Sequence, residues 1–156
     1  MKYPVDFNDI DKKLEFYDEV IKAHNEATQY INSFYWCLEI KKSTLYTNLG
    51  RVLCIFLFDI VNTASEGDNL LWIIVGDLPP MYLDVYGPTT TVQVLEDYAT
   101  LAEDWIAQIK TGGSVENCYP FNASPIVEIA ELLETRVDQI KNNLIPNIDE
   151  LPIQEI

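Results

Sequence analysis

The chain has 156 residues, with 25 Asp/Glu against 10 Lys/Arg and a formal net charge of −15 at pH 7. Apolar residues make up 48% and charged residues 22%, an ordinary balance for a folded chain, so the acidity does not mark disorder. The length is that of one domain, and a surface this acidic repels nucleic acid and anionic membranes and attracts basic partners. The charge is also uneven: residues 1–51 carry a net of −1, and residues 52–156 carry −14.

The first residues carry one Lys and no apolar stretch of the secretory type. The longest apolar run, Val52 to Val61, is interrupted by Asp59 and falls short of the roughly 20 residues a membrane helix needs. Cys37, Cys54 and Cys118 are odd in number and widely spaced, which is no disulfide framework and no paired metal or redox motif. A cytoplasmic protein is the expectation, in which the glycosylation sequon Asn122-Ala123-Ser124 has no consequence.

Along the chain, Asn8 is a candidate cap, Asp9 and Asp11 suit a first helical turn, and Phe7 suits a hydrophobic staple. Ile10, Leu14, Tyr17, Ile21, His24 and Ile31 recur at helical spacing, so a helix is expected from residue 8 to about 31. Residues 33–49 fit two patterns. Phe34, Trp36, Leu38 and Ile40 alternate as in a strand, whereas Phe34, Leu38, Leu45 and Leu49 fit one helical face ending at Gly50. The helix is favoured.

From residue 52 the period changes. Val52 to Phe58 is apolar on both faces, the pattern of a central strand, and Asn62 to Asn69 is a polar turn. Leu70 to Val75 reads as a second buried strand, broken by Gly76-Asp77-Leu78-Pro79-Pro80 because proline has no N–H for a ladder. Tyr82 to Tyr86 suits a short third strand. Thr90 and Gln93 suit a capping box for a helix whose inner face is Val94, Tyr98, Leu101, Trp105 and Ile109, stopped at Gly112-Gly113. Ser124 and Pro125 open a last helix, with Ile126, Ile129, Leu133, Val137, Ile140 and Leu144 inward and Pro146 at its end.

The expected fold is α+β: a long N-terminal helix (or two helices), a small, mainly antiparallel sheet of two or three strands, and two C-terminal helices packed on it. Residues 1–146 form the domain and 147–156 a loose tail.

Candidate chemistry is sparse. The single histidine, His24, falls on an apolar stripe and reads as a packing residue, which leaves no base for a nucleophilic triad and no usual zinc ligand set. Thr111-Gly112-Gly113-Ser114 follows a helix, so it is no phosphate-cradling loop. Asp59, Glu66 and Asp68 do not fit a calcium-binding loop. Asp77 is the sharpest candidate, just past a buried strand, with Asp84 placed nearby across the Pro79-Pro80 turn. Its alternative role is an Asx-turn. No catalytic residue, metal or cofactor is assigned. Glu96, Asp97, Glu103, Asp104, Glu131 and Glu134 lie mostly off the apolar stripes, with too few cations to offset them. Of Phe34-Tyr35-Trp36, not every ring can point inward, so Tyr35 and Trp36 join these acids as a candidate interaction surface.

The run from Leu71 to Leu83 resembles the signature segment of a family of small bacterial proteins classed as a domain of unknown function, in which a Trp-led strand runs into Gly-Asp-Leu-Pro and then a Tyr. The matching positions are Trp72, Gly76, Asp77, Pro79 and Tyr82, and the resemblance implies no activity. The reading that follows is an acidic binding protein with a basic protein partner, most concretely a bacterial immunity protein or toxin inhibitor. Two alternatives stand beside it: an enzyme, small-ligand or divalent-cation binder using Asp77, and a structural homo-oligomer.

Overall fold

The computed structural model describes residues 2–50, 52–63 and 69–153. Five strands, β1 (Val5–Asp6), β2 (Cys37–Asn48), β3 (Leu53–Asn62), β4 (Leu70–Gly76) and β5 (Leu78–Asp84), form one antiparallel sheet whose spatial order is their chain order. Helix α1 (Tyr17–Asn32) covers one face of the sheet. Helices α2 (Thr91–Lys110) and α3 (Val127–Gln139) cover the other. Among the described residues no helix is long and apolar enough to cross a membrane.

The two central strands explain this layering. Cys54, Phe56, Phe58 and Ile60 of β3 and Leu71, Ile73 and Val75 of β4 meet α1. The intervening Leu53, Ile55, Leu57, Trp72 and Ile74 meet α2 and α3. A strand with apolar side chains on both faces is stable only between two covers. Each of these large side chains contributes about 1.5–3 kcal/mol by leaving water. On α1, Val20, Ala23, Ala27 and Ile31 are buried at helical spacing. The α3 helix continues through a wider turn at Ile140–Leu144 and a short 3₁₀ turn at Ile145–Asn147.

The sheet corrects the expected architecture: it has five strands where two or three were expected, and helix α1 is shorter than the expected span. Residues 8–16 stay out of α1 because Val5 and Asp6 pair with Leu45 and Thr44 of β2. Phe7 then stacks on His24 with ring centroids 3.5 Å apart, and Phe16, at φ 61°, turns the chain into the helix. The favoured helix over 33–49 is strand β2. Irregularities in its pairing with β3, between Cys37 and Glu39, Ile40 and Lys42, and Leu45 and Thr47, break the two-residue alternation and mimic a helical stripe.

Strand β4 does break at Gly76, but Pro79 and Pro80 belong to the next strand, which was expected to begin only at Tyr82. They lie within β5, a strand at the sheet's edge, where a missing N–H costs no interior ladder bond. Thr90 caps α2, its Oγ1 accepting from Gln93 N at 3.2 Å, while the Gln93 side chain accepts from Thr89 N at 2.8 Å. Ser124 is not the cap of α3: that helix begins at Val127 behind Ile126. Of the segment expected to be a loose tail, residues 149–153 bond to residues 89–91. Thr91 N donates to Leu151 O at 3.1 Å, Thr91 Oγ1 to Asp149 O at 2.6 Å and Ile153 N to Thr89 O at 3.1 Å. Of the expected Asn62–Asn69 turn, residues 64–68, with Glu66 and Asp68, lie outside the described residues.

Candidate functional site

The segment from Trp72 to Asp84 is β4, a one-residue crossing and β5, and each singled-out residue in it has an architectural partner. Trp72 is fully buried, its Nε1 donates to Pro88 O at 2.9 Å, and its ring meets Tyr46 edge-on. Gly76 sits at φ 148°, and a Cβ there would lie 2.2 Å from Val52 O, so only glycine lets the β4–β5 crossing press against the start of β3. Asp77 N then donates to Val52 O at 2.8 Å. The Asp77 carboxylate pairs with the Arg136 guanidinium of α3, whose Nε also donates to Asp77 O at 2.9 Å. Pro79 O accepts from the Tyr98 hydroxyl of α2 at 2.7 Å.

Asp77 and Asp84 do not converge. They stand just before and at the end of β5, roughly 20 Å apart at the usual rise of an extended chain. Asp84 is the residue that makes the Asx-turn, its Oδ1 accepting from Tyr86 N at 3.0 Å and Gly87 N at 3.3 Å. Thr111 to Ser114 terminate α2: Gly112 lies at φ 73° and Gly113 N donates to Gln108 O at 2.7 Å.

The aromatic residues separate according to their surroundings. Tyr35 is 86% exposed. Trp36 is half-buried, stacked on Phe34 and edge-on to Tyr82 of β5. Tyr119, from the loop between α2 and α3, reaches round the β5 edge. Its hydroxyl accepts from Tyr82 N at 3.1 Å and lies 3.0 Å from the Tyr30 hydroxyl of α1. Burial raises the pKa of Tyr30 and Tyr119, which keeps both phenols protonated at neutral pH. This tyrosine pair ties the two helical layers together across the sheet edge.

His24 packs as its place on the apolar stripe implies. It stacks on Phe7, and its Nε2 lies 2.8 Å from Ser43 Oγ. Desolvation lowers its pKa to about 4, so the ring is neutral at pH 7.

Between α1 and the β4–β5 crossing lies a cleft of about 440 Å³, lined by Glu19, Lys22, Glu26, Gly76 and Asp77 over a floor that includes Leu53 and Cys54. Partial burial raises the Glu26 pKa, and burial pushes the Cys54 thiol up to about 12, so that thiol is no nucleophile at neutral pH. Sequence reading missed Glu19 and Glu26 because they belong to a helix with ordinary amphipathic spacing. Among the described residues no group of three or more His, Cys, Asp or Glu is placed to hold a metal ion.

The acids divide between pairing and exposure. Glu134 is held by Lys110, with Nζ 2.8 Å from each carboxylate oxygen, and Glu103 by Lys141 at 3.2 Å. With Arg136 on Asp77, all three cations of residues 52–156 are committed. Glu96, Asp104, Glu116, Glu128, Glu131 and Asp138 are exposed, and none of them makes an ion pair. Asp97 is half-buried, and desolvation raises its pKa. Trp36 packs on the α1 side and the exposed Tyr35 directly precedes it, whereas Glu96, Asp97, Glu103, Asp104, Glu131 and Glu134 stand on the helices of the opposite layer. The candidate interaction surface is therefore two surfaces, divided by the sheet. Comparison with protein-family models, with curated protein sequences and with solved structures finds no match to this chain.

Proposed function

We propose that this protein is an acidic binding module for a basic protein, and that the α2–α3 layer is the side that binds. The observation that carries the reading is the exhaustion of cations on that layer. Lys110, Arg136 and Lys141 are each paired, while Glu96, Asp104, Glu116, Glu128, Glu131 and Asp138 are left without counter-charge. Glu128 and Glu131 stand one helical turn apart, a spacing at which like charges cost about 0.2–0.5 kcal/mol of helix stability. These charges oppose folding, so their return lies in association: within a Debye length of about 8–10 Å they act as one field that steers a cationic partner.

The most concrete form is a cytoplasmic bacterial immunity protein or toxin inhibitor, whose carboxylates would replace nucleic-acid phosphates in a basic cleft. The alternative of chemistry at Asp77 is less favoured, because its carboxylate holds Arg136 and Asp84 lies at the far end of β5. A homo-oligomer through the α2–α3 layer would set like charges against each other. Affinity capture from native lysate of the source cells tests the reading. Recovery of a basic protein that elutes with rising salt supports it, and capture that yields no basic protein, or binding indifferent to salt, overturns it.

A further inference from the structure

Helices α2 and α3 run antiparallel, joined across their seam by Lys141–Glu103 and, two turns along, Lys110–Glu134. A hollow of about 300 Å³ lies between these bridges, lined by Ile106, Ala107 and Val137 among others. Beyond the Lys110–Glu134 bridge the seam opens into a larger hollow of about 550 Å³, lined by Ile109, Gly113, Val115, Pro125, Ile126 and Val127. Its lining is mainly apolar, yet Ile126 is 49% and Val127 46% exposed, and neither is needed to fill the core beneath. Glu116 follows Val115 directly, Glu128 follows Val127, and Glu131 stands one turn along α3 from Val127, all three exposed and without ion pairs.

We infer that this hollow is where a basic segment of the partner protein seats an apolar side chain, with its lysines or arginines on Glu116, Glu128 and Glu131. This rests on the reading of the chain as a module for a basic protein and locates the contact. Charge complementarity selects the occupant. A second copy of a chain carrying −15, a nucleic acid or an anionic membrane would each bring negative charge to a surface whose neighbouring Glu116, Glu128 and Glu131 have no counter-charge. An apolar anchor in a pocket ringed by polar contacts is the arrangement that concentrates binding energy in an interface.

The test uses the whole chain, ¹⁵N-labelled, titrated with three short probe peptides: alternating Lys and Leu, alternating Lys and Ser, and alternating Glu and Leu. The expected result is that the Lys–Leu peptide binds tightest and shifts amides of residues 109–115 and 126–131. The double variant Ile126→Ser, Val127→Ser should then weaken that peptide about tenfold and leave the weak Lys–Ser binding unchanged. Serine is a better residue than isoleucine at the position before a helix, so the variant retains its fold, and an unchanged amide spectrum elsewhere confirms that. Equal binding of the Lys–Leu and Lys–Ser peptides overturns the hollow as the anchor and leaves the acidic binding module standing. Failure of both cationic peptides to bind at about 0.15 M salt overturns both readings. Tightest binding by the Glu–Leu peptide also overturns both.

Discussion

The two faces of the sheet are closed in different ways. On the α1 face, residues 2–50 carry nearly balanced charge, and the surface over the core is stitched by aromatic contacts: Phe7 on His24, and Phe34 on Trp36 and Tyr82. On the opposite face, α2 and α3 bury the largest side chains, Trp72, Trp105, Tyr46 and Tyr98, and present an outer surface whose cations are all spent. The contrast separates what folding requires from what it does not. Apolar contacts account for both interiors, but only one exterior carries a charge excess that folding would do better without.

Three changes break or sharpen this contrast. The largest effect is expected from Trp72→Ala, which empties the centre of the α2–α3 core and frees Pro88 O from its donor. A loss of about 3–5 kcal/mol in urea unfolding is the expected outcome, and a loss under about 1 kcal/mol would mean that the ring does not anchor that layer.

The second lies on the α1 face. His24 has its pKa lowered to about 4 by burial, below the ordinary 6.5, so the unfolded chain takes up more protons between those values. This group's contribution is fully present above pH 6.5 and is lost as pH falls toward 4. With the ring's partial exposure to water allowed for, the loss is about 1–2 kcal/mol. Unfolding measured at intervals from pH 7 to 4 in wild type and His24→Gln isolates it, since the carboxylates common to both chains cancel in the difference. Parallel curves would show that His24 titrates normally.

The smallest effect is Asp77→Asn. Its ion pair with Arg136 is exposed, so a cost of about 0.2–1 kcal/mol is expected, shrinking with added salt. A salt-independent loss well above that range would give Asp77 a role beyond tethering α3 to the β4–β5 crossing.

Strands β3 and β4 were legible because burial on both faces leaves an unbroken apolar run, from Leu53 to Phe58 and from Leu70 to Val75. The inner faces of α2 and α3 were legible because Val94, Tyr98 and Trp105, or Leu133 and Val137, repeat at helical spacing and are buried. Strand β2 was not, because its irregular pairing with β3 destroys the period that sequence reading relies on, and Leu38, apolar but 64% exposed, adds a false signal. The N-terminal strand β1 is too short to carry a period at all. At the candidate site, the identity of Asp77 was legible and its partner was not: the Asp77–Arg136 pair spans 59 positions. The two lysine bridges likewise depend on the antiparallel register of α2 and α3, which no local pattern encodes.

The strand order has a consequence for how the chain comes into being. Because β2 to β5 each pair with the next strand along the chain across a short connection, most of the sheet can zip from hairpins as residues emerge, with little loop entropy to overcome. Helix α1 precedes β2, so one face is covered as soon as it forms. The other is not. Trp72, Ile74, Leu57 and Tyr46 stay bare until α2, α3 and the 149–153 segment arrive, and until then a nascent chain shows its stickiest surface. The side that carries the charge excess is made after the sheet it covers, and when it arrives it sets a mutually repelling exterior over the surface most prone to aggregate.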